Sequence, residues 1–196
     1  SNFAPAVREQ LLPALLEKRA AHGMTGAPIR LMVVGIPNVG KSSFINRMAQ
    51  SKRAKVEDRP GVTRTKQWVK IGSNMELLDM PGVLWPKFDD QTVAQKLAFT
   101  GAINDDVMDL EALACLLLQR LAVSYPKALE ERYRMTDLQA IQEDGFAMLE
   151  LLGRKRGMLI SGGEVNTERA AITLLDEFRS GKLGRITLEL PEQEAL

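Results

Sequence analysis

The segment Val33-Val34-Gly35-Ile36-Pro37-Asn38-Val39-Gly40-Lys41-Ser42-Ser43 contains a complete phosphate loop of the form G-x-x-x-x-G-K-[ST]. An apolar run over residues 29–34 precedes the loop and predicts a strand. The apolar residues Phe44, Ile45 and Met48 follow it at helical spacing. The motif requires this context, a strand that leads in and a helix that leads out. We therefore expect an α/β fold of the P-loop NTPase class that binds a nucleoside triphosphate.

The residues of this loop have separate roles at a triphosphate. Its glycines allow backbone N–H groups to surround phosphate oxygens, and the following helix adds the positive end of its dipole. We expect Lys41 to reach the β- and γ-phosphates, and Ser42 to bind Mg²⁺ through its hydroxyl group. The residues expected to contact nucleotide here are Pro37, Asn38, Val39, Gly40, Lys41, Ser42 and Ser43.

Two further motifs follow the loop at the spacing of GTPase switches. Asp79-Met80-Pro81-Gly82 comes after a predicted buried strand and has the D-x-x-G form, whose aspartate holds Mg²⁺ through water and whose glycine N–H contacts the γ-phosphate. The loop over residues 59–65 offers Thr63, or alternatively Thr65, to close over the metal. Either motif alone is usually only a turn, but the three together favour a GTPase over a generic ATPase. The expected metal residues are Ser42, Thr63 and Asp79, and the expected catalytic residues are Asn38, Lys41, Thr63 and Gly82.

Several segments, taken together, resemble one known family. The segments are Gly35–Ser43, Asp58–Thr63, Gln67–Val69, Leu77–Phe88, Thr100–Ile103, Glu131–Tyr133, Lys155–Gly157, Ser161–Gly163 and Gly184–Arg185. They are similar to the YlqF/RbgA family of circularly permuted, ribosome-assembly GTPases. The resemblance implies that GTP, GDP and Mg²⁺ are the ligands. It also implies a cytoplasmic protein that hydrolyses GTP during maturation of the large (50S) ribosomal subunit, contacting rRNA but neither DNA nor a membrane.

One motif of that family is missing from the sequence. The family places a guanine-reading N-K-x-D motif before the phosphate loop, but this chain has no N-K-x-D, and only 34 residues precede Gly35. The resemblance therefore predicts a partial, circularly permuted G domain in a truncated or incompletely recorded chain. The strand that ends at Val34 should then lie at an exposed sheet edge. The preference for guanine follows from the resemblance alone.

The residue after the D-x-x-G motif is Val83, where Ras-type enzymes have a glutamine that orients the attacking water. Valine cannot position water, so another group must stabilise the attack. Asn38 is the best local candidate, because its carboxamide can help to hold a K⁺ ion near the phosphates, as in cation-dependent GTPases. Such an ion would supply the electrostatic stabilisation of an arginine finger. The alternative is that Asn38 only shapes the loop. A non-hydrolysing, nucleotide-gated module that binds RNA or protein is the alternative function, and an ATPase is a third.

The composition is that of one or two soluble domains. The chain has 196 residues, of which 45% are hydrophobic and 26% are charged. No apolar run approaches the roughly 18 residues that span a bilayer, and no signal-peptide pattern opens the chain. The single cysteine, Cys115, excludes an intramolecular disulfide and a cysteine-based metal cluster.

The net charge of +1 conceals an asymmetry. Residues 1–104 carry 15 Lys and Arg against 8 Asp and Glu, whereas residues 105–196 carry 11 against 17. The excess is concentrated in a basic run beside the first switch, formed by Lys52, Arg53, Lys55, Arg59, Arg64, Lys66 and Lys70. This density suits a polyanion such as ribosomal RNA, and solubility is the alternative explanation.

The sequence pattern predicts two domains. Residues 6–20 predict a helix, and the pattern changes from alternating α/β to continuous helices near residues 104–109. We therefore expect residues 1–104 to form the P-loop GTPase domain and residues 105–196 to form an all-α, RNA-binding domain. Asp109, Pro126, the capping box Thr136–Gln139 and Asn166 or Thr167 mark predicted helix starts, and the third helix should stop at Gly153.

Two basic patches follow helix ends in the second domain. Arg154-Lys155-Arg156 forms the first, and Lys182 with Arg185 forms the second. Cations at these positions complement the helix dipole, so their role is either structural or in RNA binding. The family resemblance favours contact with rRNA.

Overall fold

The computed structural model describes residues 3–49, 66–84, 89–136 and 138–189. They belong to two compact units, Ser1–Pro86 and Lys87–Leu196. The predicted fold class, a P-loop α/β domain followed by an all-α domain, is confirmed. No helix among the described residues has both the length and the apolar character needed to cross a membrane.

The first unit contains a three-stranded sheet in the order β1-β3-β2. Strands β1 (Ile29–Val33) and β3 (Met75–Asp79) run parallel, with Val33 opposite Asp79. Strand β2 (Gln67–Ile71) runs antiparallel to β3 and is joined to it by a tight turn, in which Gly72 has a φ of 62°. Because β1 and β3 are parallel, their carboxyl ends meet at one edge of the sheet. The ends of β1 and β3 therefore bring the phosphate loop and the D-x-x-G motif together.

Helices cover this sheet and close its core. Helix α1 (Phe3–Ala6), a π-helical turn (Val7–Leu11) and α2 (Leu12–Ala21) form the predicted amino-terminal helix. Helix α3 (Lys41–Ala49) follows the phosphate loop and packs on β2 and β3. The buried core side chains of this unit are Val7, Ile45, Met48, Val69, Met75 and Leu77.

Strand β1 lies at an edge of the described sheet, as the sequence predicts. Its side chain Met32 is 61% exposed, and Val34 just beyond it is 63% exposed. On the exposed part of the sheet, Arg30 donates to Glu76 at 3.0 Å, and its guanidinium lies 5.1 Å from the centre of the Trp68 ring. This contact is a cation–π interaction across the strands.

The second unit is built from helices around one apolar core. They are α4 (Gln91–Phe99), α5 (Leu110–Ser124), α6 (Pro126–Tyr133), α7 (Gly145–Lys155) and α8 (Thr167–Arg179), with single 3₁₀ turns at Asp105–Val107 and Leu138–Ala140. Helix α5 is central, because α4, α6, α7 and α8 all pack against it. The starts predicted at Asp109 and Pro126 are confirmed, and Asn166, rather than Thr167, caps α8.

Three boundaries differ from the sequence prediction, and one of them is the end of α7, which lies at Lys155 rather than at the predicted Gly153. Helix α7 begins at Gly145, not at the predicted capping box, because Asp144 accepts from the N–H of Ala147 at 2.9 Å and forms the cap. Gly145 lies so close to α5 that a Cβ there would come within 2.7 Å of the Cβ of Cys115. The two units divide after Pro86, earlier than the predicted boundary after residue 104. Helix α4 belongs with the helical unit, because it buries Ala98 and Phe99 in that core.

Candidate nucleotide-binding site

The phosphate loop connects the end of β1 to the start of α3 and has an unusual backbone. The φ angles of Gly35, Asn38 and Gly40 are 154°, 57° and 88°. Glycine adopts such angles without strain, and asparagine tolerates the left-handed region better than most residues. Turns of this kind point successive backbone N–H groups into one concavity, where an anion binds. The geometry therefore explains why glycines and Asn38 occur here.

Lys41 bends back over this loop. Its Nζ donates to the carbonyl oxygen of Ile36 at 2.7 Å, which fixes the amine above the loop. Burial lowers the pKa of Lys41, and the charge of Asp79 opposes this shift. A partly desolvated ammonium interacts more strongly with an anion than a fully hydrated one does.

Ser42 and Asp79 meet beside the loop, as the parallel pairing of β1 and β3 requires. The Ser42 hydroxyl donates to Oδ2 of Asp79 at 3.1 Å. Asp79 is only 1% exposed, and its Oδ1 is buried without a hydrogen-bond partner among the described residues. An unpartnered buried carboxylate oxygen is costly, and such a group calls for a cation, a water or a donor.

The oxygens of Ser42 and Asp79 are hard donors of the kind that Mg²⁺ prefers. Among the described residues, no group of three or more His, Cys, Asp or Glu side chains can hold a metal ion. Mg²⁺ at a nucleotide site keeps several waters and takes other ligands from phosphates, so a serine hydroxyl and one carboxylate are sufficient protein groups for it. The residues present therefore fit the predicted ion.

Gly82 brings the D-x-x-G motif against the phosphate loop. A Cβ at Gly82 would lie 2.6 Å from both the backbone N and the Cα of Pro37, and 2.9 Å from Nζ of Lys41. No side chain fits into this space, so the close approach requires glycine. The next residue, Val83, is 69% exposed.

The structure thus brings together most of the residues that the sequence selects for this site. Lys41, Ser42, Asp79 and Gly82 lie around the phosphate loop. Thr63, its alternative Thr65 and most of the basic run lie outside the described residues. Sequence reasoning missed the carbonyl of Ile36 as the acceptor for Lys41, since a backbone group leaves no signal in a motif.

Residues 30–144 match the model of the family described as 50S ribosome-binding GTPase. The chain belongs to this family. The resemblance to YlqF/RbgA proteins is also confirmed, because similar relatives and similar solved structures carry these names.

Two curated relatives are named Ribosome biogenesis GTPase A. This member of the family is 45% identical to that of Bacillus licheniformis over 192 residues, which cover 98% of this chain and 66% of the relative. It is 44% identical to that of Bacillus cereus over 183 residues, which cover 93% of this chain and 61% of the relative. The chain therefore spans somewhat less than two thirds of the length of these relatives.

Two solved structures are similar to this 50S ribosome-binding GTPase family member. GDP-bound TM YlqF has a TM-score of 0.54 and 26% identity, with coverage of 92% of this chain and 67% of that chain. GNP-bound YlqF from T. maritima has a TM-score of 0.52 and 27% identity, with coverage of 92% and 65%. Both neighbours carry a guanine nucleotide, one of them GDP.

Proposed function

We propose that this chain is the phosphate-binding and helical part of a GTPase that acts in maturation of the large ribosomal subunit. The observation that carries the proposal is the buried Asp79, which accepts from Ser42 and keeps one oxygen unpartnered beside a phosphate loop. A purely structural aspartate would have both oxygens satisfied. The names of the relatives supply the ribosomal context.

Each residue of the site has a separate role toward GTP and Mg²⁺ in this proposal. Lys41 neutralises the β- and γ-phosphates, and the N–H of Gly82 donates to the γ-phosphate. Ser42 and Thr63 would hold Mg²⁺ directly, and Asp79 would hold it through water. When bound, Mg²⁺ neutralises the charge that develops on the phosphate oxygens. The loop residues from Pro37 to Ser43 orient the triphosphate through backbone N–H groups.

Asn38 has a further role in this proposal. Val83 cannot hold the attacking water, so we assign to the Asn38 carboxamide one contact to a K⁺ ion beside the phosphates. K⁺ would supply positive charge where negative charge develops during hydrolysis. The left-handed backbone of Asn38 supports the competing role in loop shaping equally well.

Contact with rRNA is proposed for the basic residues of both units. In the first unit these are the members of the basic run, of which Lys66 and Lys70 are described, and in the second unit they are the two basic patches. The partner is the large-subunit precursor, the compartment is the cytoplasm, and neither DNA nor a membrane has a role. In this proposal the GTPase function belongs to the first unit and RNA binding to the helical unit, with helix α4 in the helical unit rather than in the predicted GTPase range 1–104.

The decisive experiment measures phosphate release by the full-length gene product in K⁺, with and without purified 50S subunits, and with GTP or ATP. We expect GTP turnover that rises when subunits are added. Nucleotide-dependent subunit binding without turnover would establish the non-hydrolysing module instead, and equal turnover of ATP would establish an ATPase.

A further inference from the structure

Three helix ends meet at one buried carboxylate in the helical unit. Arg132 lies in the last turn of α6, Arg156 directly follows α7, and Glu177 lies in the last turn of α8. Both arginines contact Glu177. The carboxyl-terminal ends of α6, α7 and α8 are therefore neighbours in space, although they are far apart in the sequence.

Glu177 is fully engaged by these neighbours. Nε of Arg132 donates to its Oε2 at 2.9 Å, the hydroxyl of Tyr133 donates to Oε2 at 2.8 Å, and Nη2 of Arg156 donates to Oε1 at 3.2 Å. A second Arg132 nitrogen, Nη2, also donates to Oε1. The hydrogen bonds from Arg132, followed by that from Tyr133, outweigh burial and lower the pKa of Glu177 to about 2. The carboxylate is therefore charged at any physiological pH.

The arginines, unlike Glu177, stay accessible. The Glu177 side chain is 7% exposed, whereas the side chains of Arg132 and Arg156 are 33% and 35% exposed. A guanidinium has five N–H donors, so each arginine keeps donors beyond those that Glu177 uses. Arg156 also stacks over the Tyr133 ring at 5.9 Å, which restrains its orientation. Both guanidiniums are held in place with donors to spare.

Further exposed cations adjoin this cluster along the chain. Arg154 and Lys155 precede Arg156 and are exposed, and Arg134 follows α6 with a φ of 58° and is also exposed. The N–H of Lys182 donates to the carbonyl oxygen of Glu177 at 2.9 Å, so this lysine lies in the adjoining turn. The cations of this surface, which we call the helix-end surface, are Arg132, Arg134, Arg154, Lys155, Arg156 and Lys182.

Helix dipoles alone do not account for this cluster. One cation in a last turn complements the dipole, and the effect fades within that turn. Here several cations share one region and repel one another, and only one acid is buried among them. The exposed acids next to this region in the sequence are Glu130, Glu131 and Asp176, and the six cations still leave a positive excess. Guanidiniums held rigidly suit phosphate groups, which they bind with paired hydrogen bonds.

We propose that Glu177 is a positioning residue: it holds Arg132 and Arg156 where the three helix ends meet, so that the rRNA contact proposed for the basic patches extends to both guanidiniums of the helix-end surface. The proposal rests on the proposed function and deepens it. It adds Arg132, which belongs to neither basic patch, to the proposed contact. Charge reversal at Arg156 would place an acid against Glu177, so neutral substitutions are the better test.

The experiment measures binding of the 196-residue chain to purified 50S subunits and to rRNA extracted from them, over a series of KCl concentrations. The first variant combines Arg132→Gln with Arg156→Gln. We expect it to bind about 10- to 100-fold more weakly, with a salt slope reduced by about 2. The control is Lys127→Gln, an exposed cation in the first turn of the same helix α6.

Glu177→Gln separates positioning from simple charge. Removing an acid near RNA should strengthen binding if the acid acts only by repulsion. We expect the opposite, a loss of about fivefold, because the arginines lose the charged partner that orients them. Asp176→Asn is the matched control, since it removes an exposed acid from the adjacent position and should bind slightly more tightly. Tyr133→Phe, which removes only one hydrogen bond to Glu177, provides a milder variant if Glu177→Gln does not fold, and its binding should also fall.

Four binding results would each overturn a part of the proposal. Binding by Glu177→Gln, or by Tyr133→Phe in its place, that equals or exceeds that of Asp176→Asn would overturn the positioning role. A double arginine variant that behaves like Lys127→Gln would overturn the surface. Binding of the unmodified chain to subunits but not to extracted rRNA would point to a protein partner and would also overturn it. If the unmodified chain bound neither probe, the proposed ribosomal function itself would fail.

Discussion

Each unit buries one acidic side chain among its described residues, and the two acids are satisfied in opposite ways. Asp79, in the phosphate-loop unit, accepts one hydrogen bond from Ser42 and keeps Oδ1 without a partner. Glu177, in the helical unit, has both oxygens hydrogen-bonded to arginine and tyrosine side chains. The two residues have similar exposures, 1% and 5%.

The difference shows what each acid is for. A buried carboxylate with an unpartnered oxygen is poorly satisfied by the described residues alone, so we expect a cation, a water or another donor to complete its environment. A carboxylate with all its partners supplied by the chain stabilises the fold and fixes those partners. Burial alone would not separate the two residues, but the count of partners does.

The largest expected effect concerns the phosphate-loop unit, for which we propose nucleotide binding. Lys41→Ala removes the ammonium that we propose for the phosphates and should weaken nucleotide binding about 1,000-fold, the cost of truncating one partner of a desolvated charge pair. The measurement is titration of a fluorescent GTP analogue into the full-length gene product. The circular dichroism of the helices should be unchanged, because Lys41 has no role in the helical core. Retained affinity would mean that the phosphate site is elsewhere.

A smaller effect tests whether Asn38 acts through its side chain or its backbone. We expect GTP hydrolysis to be faster in K⁺ than in Na⁺, and Asn38→Ala to remove the difference, with a loss of about 10²-fold in turnover. Because Asn38 has a φ of 57°, alanine there is also strained, so Asn38→Gly is the needed control. If Asn38→Gly keeps the K⁺ effect, the residue shapes the loop. If both variants lose it, the carboxamide is required.

The smallest effect concerns Glu177 and is measured as the pH dependence of folding stability. The pKa of Glu177 is lowered to about 2 from an ordinary 4.5, so its interactions stabilise the folded state above pH 4.5 and are lost as the pH falls towards 2. The free energy of unfolding, measured in urea, should therefore fall over this range by more for the unmodified chain than for Glu177→Gln. The variant has no carboxyl group at this position to titrate. Parallel curves for the two proteins would show that Glu177 contributes nothing to acid stability.

The sequence predicted that the phosphate loop, Ser42 and Asp79 lie together, because the signals for this arrangement are local. The motif from Gly35 to Ser42 carries its own context, and one parallel strand pair then places Asp79 beside Ser42. The sequence did not predict the Glu177 network, whose hydrogen bonds join residues 45, 44 and 21 positions apart. On α8, Glu177 follows an apolar face that includes Leu174, and an acid in that position was the signal available.

The incorrect start of α7 has a similar cause. The capping box from Thr136 to Gln139 is a valid local signal, but it was overruled by the packing of Gly145 on Cys115 of α5. Likewise, α4 was assigned to the first unit because the α/β pattern changes only near residues 104–109, whereas Phe99 is buried with the helical core. Local patterns fix elements more reliably than they fix which elements share a core.

The division after Pro86 also separates the chain's chromophores. Both tryptophans, Trp68 and Trp85, precede it, and both tyrosines, Tyr125 and Tyr133, follow it. Trp68 lies under Arg30, so its emission responds when that stacked pair comes apart. The Trp68 component of tryptophan emission therefore follows melting of the phosphate-loop unit. A transition seen in helical circular dichroism but absent from tryptophan emission belongs to the other unit, so one unlabelled sample resolves the two.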